Sequence, residues 1–294
     1  MSADRIISLG DGSTQRFGLL SPGTASVGVV VLVGGPQYRA GSHRHFVQLA
    51  RFLAQAGTPC LRFDHAGIGD SSGNNPGNNA GALPDFCALD AEVDLAISAL
   101  MQAQPQLQGV VLWGLCDGAS AALLYMARRN DPRVRGLCLL NPWVRSAQGE
   151  ARARVQHYYW ERLRNPEFWR KLLGGGVGLG ALKGWWAARQ LARQAAPATP
   201  SGATQCYQMQ MAQGYQAFAG PRLVQLSGRD HTAREFEAAG ELFPLWRNWQ
   251  SHAGLTLQHY PEADHTFSRR ALQQQSFEDL LSWLHSHWPQ EARA

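Results

Sequence analysis

The chain has 294 residues, with 27 Lys and Arg against 22 Asp and Glu, and only 17% of its side chains are charged. Its 45% apolar content excludes a wholly disordered chain, and five Cys are too few for a disulfide scaffold of this length. The length suits one large α/β domain or a core domain with an insert. A net charge of +5 is low for a nucleic-acid-binding surface, so we expect no nucleic-acid partner.

Strand and helix patterns alternate along the first half of the chain. Continuous β-branched or apolar runs predict strands buried on both faces, whereas apolar stripes at helical spacing predict helices. The predicted strands are 26–33, 59–63, 110–114 and 134–140. The predicted helices are 46–56, 85–101 and 119–129, with a Gly- and Asn-rich loop at 71–81.

The alternation stops at residue 143 and returns at residue 221. Residues 143–219 contain no β-branched run and are rich in Arg, aromatic residues and Gly. Beyond them, predicted strands and helices alternate again, at 221–226, 235–249, 255–260 and 271–287. This order is typical of a parallel sheet with helices on both faces. We therefore predict an α/β core formed by 1–142 and 220–294, with a helical cap at 143–219 inserted at one edge.

One Cys stands between two glycines where a predicted strand meets a predicted helix. The segment Gly114-Leu-Cys-Asp-Gly118 has the G-x-nucleophile-x-G form of a nucleophile elbow, with Cys116 where Ser is usual. Small residues are needed at Gly114 and Gly118 because the nucleophile lies on a sharp, strained turn. The N–H groups of the following helix point at the sulfur and favour its thiolate form. The pattern predicts a nucleophilic Cys116, although a Cys after a strand is more often a small core residue.

The other four Cys lack glycines at two-residue spacing on both sides, and we predict that they are structural. Cys60 and Cys138 fall within predicted strands, Cys87 opens a predicted helix and Cys206 lies in the predicted cap. The first residues lack the apolar stretch of a signal peptide, so we expect reduced thiols and a cytoplasmic protein. The longest weakly polar run, 172–186, is too short and too Gly-rich for a membrane span, which leaves peripheral membrane contact open.

An acid and a His follow later strands in the order that a nucleophile elbow requires. Asp230 comes just beyond the strand at 221–226, and His265 just beyond the next one. Nucleophile, acid and His in this chain order, each at the carboxyl end of a strand, predict a catalytic triad. His265 would accept the thiol proton, and Asp230 would hold the imidazole tautomer. Asp117 and Asp264 are weaker candidates for the acid, because we expect their side chains to point away.

The loop after the first long strand is expected to complete an oxyanion hole and contact substrate. One oxyanion donor is the backbone N–H of Asp117, the residue after the nucleophile. Pro36 stands at the usual position of the second donor and has no N–H, so we predict Gln37, with Gly35 as the alternative. The loop is either a solvated surface or a positive rim that orients an anionic substrate. The rim would consist of Arg39, His43, Arg44 and His45, and the candidate substrate contacts are Tyr38, Arg39, His43 and Arg44.

These motifs resemble the α/β-hydrolase superfamily over nearly the whole chain outside the cap. Three segments also resemble a narrower group, the exosortase A system-associated hydrolase 1 family of Gram-negative bacteria. They are Gly34-Gly-Pro-Gln-Tyr-Arg-Ala-Gly-Ser-His-Arg44, Leu61-Arg-Phe-Asp-His-Ala-Gly-Ile-Gly-Asp-Ser71 and Gly114-Leu-Cys-Asp-Gly-Ala-Ser120. The resemblance implies an accessory hydrolase of an exopolysaccharide and protein-sorting system. The Cys nucleophile is also similar to that of dienelactone hydrolases and polyhydroxyalkanoate synthases, although the chain is short for the latter.

A thiolate attacks activated acyl groups readily, which points to thioesters, lactones and activated esters as substrates. We predict a Cys-His-Asp hydrolase with an acyl-cysteine intermediate that acts on a small acyl substrate and needs no cofactor or metal. Peptidase activity ranks low, because an amide needs strong protonation of its leaving group. An acyltransferase with the same intermediate and a non-catalytic accessory protein are the alternatives, and the oligomeric state stays open.

The basic charge of the chain is concentrated in the predicted cap. Residues 143–219 hold ten basic and three acidic residues, a charge of +7, so the rest of the chain carries −2. An insert at this point would stand over the nucleophile as a lid. Its many Trp and Tyr side chains either form the cap's own small core or line an acyl pocket.

Overall fold

The computed structural model describes residues 4–10, 16–34, 37–72, 85–145 and 206–289. Contacts divide the chain into one unit made of Met1–Val144 and Cys206–Ala294 and a second unit, Arg145–Gln205. The described fold is that of the first unit. Most of the predicted cap, residues 146–205, lies outside the described residues, so its boundaries stay a prediction.

Eight strands form one sheet in the order β1-β2-β4-β3-β5-β6-β7-β8. β2 is antiparallel to both of its neighbours, and all pairings from β4 to β8 are parallel. The prediction of a mostly parallel α/β sheet is therefore confirmed. The strands are β1 (Arg5–Leu9), β2 (Arg16–Ser21), β3 (Val27–Leu32), β4 (Cys60–Phe63), β5 (Gly109–Leu115), β6 (Val134–Leu140), β7 (Arg222–Ser227) and β8 (Leu255–Tyr260).

Helices cover both faces of this sheet. The described ones are α1 (His45–Gln55), α2 (Asp90–Ala103), α3 (Asp117–Arg129), α4 (Tyr207–Ala217), α5 (His231–Glu237), α6 (Ala239–Leu242) and α7 (Arg270–His287). Apolar residues of α1 and α7 enter one core cluster, and those of α2, α3 and α4 enter another. None of the helices in the described ranges has the length and hydropathy needed to cross a membrane.

β3 and β5 are apolar throughout because each has buried residues on both faces of the sheet. Val30 and Leu32 of β3 belong to one core cluster, and Val29 and Val31 belong to the other. Successive side chains of a strand point to opposite faces, so one continuous apolar run serves two cores. This geometry places the carboxyl ends of β3, β5, β6, β7 and β8 at one edge of the sheet.

The structure corrects several of the predicted elements. The helix predicted at 85–101 divides into a 3₁₀ turn, Phe86–Ala88, and α2. The hairpin of β1 and β2 was not predicted, because β1 is a short edge strand with mostly exposed side chains. The single helix predicted at 235–249 is wrong, since the segment forms α5, α6 and two 3₁₀ turns. Pro244 begins the first of these turns, and Asn248 adopts a left-handed conformation with φ 57° before the second. Both residues interrupt a regular α-helix.

Residues at the end of the predicted cap belong to the first unit. Helix α4 packs against α3, with Met211, Ala212 and Tyr215 buried. Gly214 permits the close approach, because a Cβ there would lie 2.0 Å from the carbonyl oxygen of Leu123. These residues of α4 therefore serve the packing of the helix on the α/β core.

Candidate active site

Cys116 occupies the sharp turn between β5 and α3. Its backbone angles are φ 61° and ψ −124°, values that a residue with a side chain rarely adopts. The flanking glycines leave room for the turn: a Cβ at Gly114 would lie 2.4 Å from the Ala119 nitrogen, and one at Gly118 would lie 2.4 Å from the Leu32 carbonyl oxygen. The turn is therefore built as a nucleophile elbow.

Helix α3 begins at Asp117, two residues earlier than predicted, so Cys116 is its N-cap residue. The Cys116 carbonyl accepts the N–H groups of Ala119 at 3.1 Å and Ser120 at 3.2 Å. The half-buried thiol thus stands at the positive end of a 13-residue helix. A helix N-terminus stabilises negative charge, which favours the thiolate.

Asp230 and His265 form a hydrogen-bonded pair. The His265 Nδ1 atom lies 2.8 Å from Asp230 Oδ2. Asp230 is 8% exposed, and its two carboxylate oxygens accept the backbone N–H groups of Thr232 and Ala233 at 3.1 and 3.2 Å. Because a carboxylate only accepts, the imidazole proton lies on Nδ1 and Nε2 is left as a base. The pair therefore has the geometry expected of the acid and the base of the predicted triad.

The two weaker candidates for the acid have other roles. Asp264 accepts hydrogen bonds from the backbone and hydroxyl of Ser268. Partial burial opposes ionisation, but these bonds outweigh it and lower the pKa of Asp264. Asp117 does not project outward as expected: its carboxylate lies against Gly34, where a Cβ would be only 1.8 Å from Oδ1. It packs between the elbow and the loop that follows β3.

The loops that carry the three triad residues meet where β6 ends. The Leu140 carbonyl accepts the Cys116 N–H at 2.9 Å, so the elbow is bonded to β6. The side chain of Asn141 donates to the carbonyl of His265 at 3.2 Å and to the hydroxyl of Ser227, at the end of β7, at 2.9 Å. The triad loops are thus neighbours at one sheet edge, as their positions after β5, β7 and β8 predict.

His45 supports the His265 loop from α1, a contact that the sequence did not reveal. Its Nδ1 atom lies 3.1 Å from the carbonyl oxygen of Thr266, the residue after His265. His45 is fully buried, and this burial lowers its pKa to about 4. The ring is therefore neutral at pH 7 and donates its Nδ1 proton to Thr266. No local pattern signals a contact across 221 residues.

The predicted oxyanion loop is bonded at both of its described ends. The Gln37 N–H donates to the Gly34 carbonyl at 3.3 Å, and the Gln37 side chain accepts the Ser42 N–H at 3.4 Å. Gly35 and Pro36 lie outside the described residues. The assignment of Gln37 and Asp117 as oxyanion donors stays a prediction.

A buried His–Glu pair lies beneath the start of that loop. His65 Nε2 is 2.8 Å from the Val33 carbonyl oxygen, and its Nδ1 contacts Glu92. Glu92 also accepts the Ala66 N–H at 3.0 Å. Burial disfavours the charged carboxylate, but the bonds from His65 and Ala66 outweigh it and lower the pKa of Glu92. The pair anchors the strand end that leads into Gly34.

The candidate substrate contacts divide into paired and exposed side chains. Arg39 donates to Asp64 and Asp70, so its charge serves the packing of its loop onto the loop after β4. Tyr38 is 49% exposed, and His43 and Arg44 are exposed as well. His43 and Arg44 are consecutive residues with φ 52° and 58°, a strained geometry that is common at functional sites. Their contact with a substrate stays a prediction.

The other four Cys differ from Cys116 in their surroundings. Burial raises the pKa of Cys60 to about 12 and that of Cys87 to about 11, and it raises the pKa of buried Cys138 well above its usual value. Cys206 is exposed and precedes α4. None of the five Cys residues forms a disulfide bond. Over the described ranges, the structure has no cluster of three His, Cys, Asp or Glu side chains suited to a metal ion.

An eight-stranded, mostly parallel sheet with an elbow after β5, an acid after β7 and a His after β8 defines an α/β hydrolase. A family model described as serine aminopeptidase, S33, matches residues 24–173, over half of the chain. The chain therefore belongs to the serine aminopeptidase S33 family of hydrolases. The family's description names a serine enzyme, whereas the elbow of this chain carries Cys116.

Solved structures share the fold along almost the entire chain. An esterase from Pyrococcus furiosus has a TM-score of 0.60 and 16% identity, with 97% of this chain and 90% of that chain covered. The α/β hydrolase GrgF from Penicillium sp. sh18 has the same TM-score and identity, covering 97% and 98%. A serine hydrolase without a lid from Xanthomonas campestris has a TM-score of 0.55 at 13% identity, covering 99% and 98%. No curated protein sequence matches significantly. At these identities the similarity concerns the fold, so the narrower exosortase-associated resemblance stays a prediction.

Proposed function

We propose that the protein hydrolyses activated esters, thioesters or lactones through an acyl-cysteine intermediate on Cys116. The observation that carries the proposal is a thiol at a strained elbow, at the N-terminus of α3, together with an Asp-held His at the same sheet edge. A thiolate is a strong nucleophile and a good leaving group, which suits acyl groups whose own leaving group needs little protonation. The esterase among the similar structures is compatible with this chemistry.

The reaction proceeds in two displacements. The Cys116 sulfur attacks the acyl carbonyl carbon, and its proton passes to Nε2 of His265. The tetrahedral oxyanion is held by backbone N–H groups of the elbow and of the loop after β3. When it collapses, the alcohol or thiol leaves with the proton of His265. Water then attacks the acyl-cysteine while His265 takes its proton, and the acid product leaves as the thiol reforms.

Two other functions of this site follow from the same intermediate or from the family. An alcohol or amine that reaches the acyl-cysteine before water makes the protein an acyltransferase. The family's description names an aminopeptidase. The tetrahedral intermediate formed by a thiolate and an amide expels the thiolate again unless the amine nitrogen is protonated, so amides are poorer substrates. The sequence resemblance supports an accessory role in an exosortase and exopolysaccharide system.

The test is turnover and intact-mass analysis with a panel of thioesters, aryl esters, lactones and aminoacyl amides. We expect an acyl adduct of one thiol in the wild-type protein. Cys116→Ala should lower turnover of the accepted esters by at least about 1,000-fold. The matched control is Cys206→Ala, an exposed thiol far along the chain, which should leave turnover unchanged.

Equal turnover by Cys116→Ala and wild type would overturn the proposal. Turnover of the amides in preference to the esters would assign the peptidase function. An ester product with an added alcohol would assign acyl transfer.

A further inference from the structure

Residues 140–143, at the end of β6, bond to the elbow at Cys116, to the end of the strand that leads to Asp230 and to the loop of His265. The Leu140 carbonyl and the Trp143 N–H are both bonded to the backbone of Cys116, at 2.9 and 3.3 Å. Between them, Asn141 reaches in the opposite direction along the sheet, towards β7 and the loop after β8. This segment therefore connects the elbow, the end of β7 and the loop after β8.

Every polar atom of the Asn141 side chain is used. Its Oδ1 accepts the Ser227 N–H at 2.9 Å, and its Nδ2 donates to the Ser227 hydroxyl at 2.9 Å and to the His265 carbonyl at 3.2 Å. The residue is fully buried. A flipped amide would place its oxygen against the His265 carbonyl and its N–H₂ against the Ser227 N–H, so this bond pattern determines the orientation.

The backbone of Asn141 turns sharply where β6 ends. Its φ of 44° lies in the left-handed region, which Asn and Gly tolerate better than other residues. This turn directs the side chain away from β6 and along the sheet edge. A larger or β-branched residue would meet steric strain there.

Two buried side chains hold consecutive carbonyls of the catalytic loop. Asn141 bonds the carbonyl of His265, and His45 bonds the carbonyl of Thr266. The next residue, Phe267, is itself left-handed with φ 52°, so the loop is not held by regular secondary structure. Besides the bonds that Asp264 makes to Ser268 and Phe267 within the loop, these two side chains and the bond between His265 and Asp230 fix its position.

We propose that Asn141 is a positioning residue that fixes the backbone of His265 relative to the strand leading to Asp230. Ser227 lies at the end of β7, three residues before Asp230, so one amide after β6 ties the strand that leads to the acid to the loop that carries the base. Its effect on turnover rests on the proposed function. Its effect on the pairing of His265 with Asp230 does not.

The test compares Asn141→Asp and Asn141→Gly with a matched control, Gln225→Glu. The Asp variant keeps the size but replaces the donor by an acceptor, and the Gly variant keeps the left-handed backbone if the Asp variant fails to fold. Gln225 is a buried amide of β7 whose Nε2 bonds Tyr260 and Ser276, so its change to Glu also replaces a donor by an acceptor. The one bond from Gln225 to Asn141 uses the Gln225 backbone carbonyl, which the substitution keeps.

We expect both Asn141 variants to lower kcat by about 10- to 100-fold, because small displacements of a catalytic group cost this much. KM should change by less than about threefold, since the acyl-binding surface is unaltered. The deshielded Nδ1 proton of His265 in the NMR spectrum should weaken or vanish in both variants. Gln225→Glu should lower the melting temperature but keep kcat and that proton signal.

Unchanged kcat in a folded Asn141 variant, or an equal loss of kcat in Gln225→Glu, would overturn the proposal. If the wild-type protein turns over no member of the ester panel, the proposed function fails and the NMR signal alone decides. A His265 Nδ1 signal that persists in both Asn141 variants would then refute the positioning role, and its loss would support it.

Discussion

Cys116 shows how a single residue can combine strain and reactivity. Its left-handed φ of 61° costs free energy, and the structure tolerates it because glycines two positions away leave space for the turn. The turn places the thiol at the N-terminus of α3, where the helix dipole favours a negative charge. A Cys inside a strand, such as Cys138, has neither feature, and its buried thiol is held neutral.

Asp230 is the N-cap residue of α5 and the proposed acid of the triad, and one substitution can separate these two roles. Asp230→Asn removes the charge that orients and stabilises the imidazolium, and we expect kcat to fall by about 10³- to 10⁴-fold. Asn is itself a good N-cap residue, so α5 should lose less than about 1 kcal/mol of stability. Steady-state kinetics and urea unfolding measure the two effects separately. A kcat close to wild type would move the acid role to another residue.

At the scale of elements, the site depends on the close approach of α3 to β3. Gly118 of α3 lies against the Leu32 carbonyl, and Gly34 lies against the Asp117 carboxylate. The glycines thus keep the elbow and the oxyanion loop in contact. The His–Glu pair of His65 and Glu92 anchors the same strand end from the side of α2.

Gly118→Ala tests this approach. Its Cβ would lie 2.4 Å from the Leu32 carbonyl oxygen, so α3 and β3 must separate. We expect a loss of about 1–3 kcal/mol in the free energy of unfolding, together with a lower kcat. Arg129→Ala, at an exposed position of the same helix, should change stability by less than about 0.5 kcal/mol. Equal stability of the two variants would argue against a tight α3–β3 contact.

For the whole molecule, the buried neutral His45 links stability to pH. It packs among the rings of Trp113, Phe267 and Phe277 and is sensitive to the charge of neighbouring His43. Burial lowers its folded-state pKa from 6.5 to about 4. Its contribution is therefore fully present above pH 6.5 and is lost as the pH falls from 6.5 towards 4, because only the unfolded chain binds the proton in that range.

The loss from this one group should be on the order of 3 kcal/mol. Urea unfolding at pH 7, 5.5 and 4 measures it, with His45→Gln as the non-titrating control. As the pH falls, the wild type should lose more unfolding free energy than the variant. The difference between the two proteins isolates His45, because all other titrating groups are common to both. A constant difference between the two proteins across this range would contradict a neutral His45.

The sequence alone was sufficient for features whose cause is local. A continuous apolar run indicates a strand buried on both faces, and Gly114 and Gly118 identify Cys116 because the strained turn excludes other residues nearby. Because Cys116, Asp230 and His265 follow the parallel strands β5, β7 and β8, they were expected at one edge of the sheet. All six predicted strands and most helices follow from the same periodicities. The β1–β2 hairpin was missed because its exposed residues leave no such period.

Only the tertiary structure decided which side chains support the site. Arg39 was a candidate rim cation by sequence, yet it is paired with Asp64 and Asp70. No sequence pattern predicted the hydrogen bonds of Asn141 and His45, because their partners, His265 and Thr266, lie 124 and 221 residues away. Periodicity and motif spacing report the backbone path of nearby residues. Hydrogen bonds between distant loops exist only once the sheet has brought the ends of its strands together.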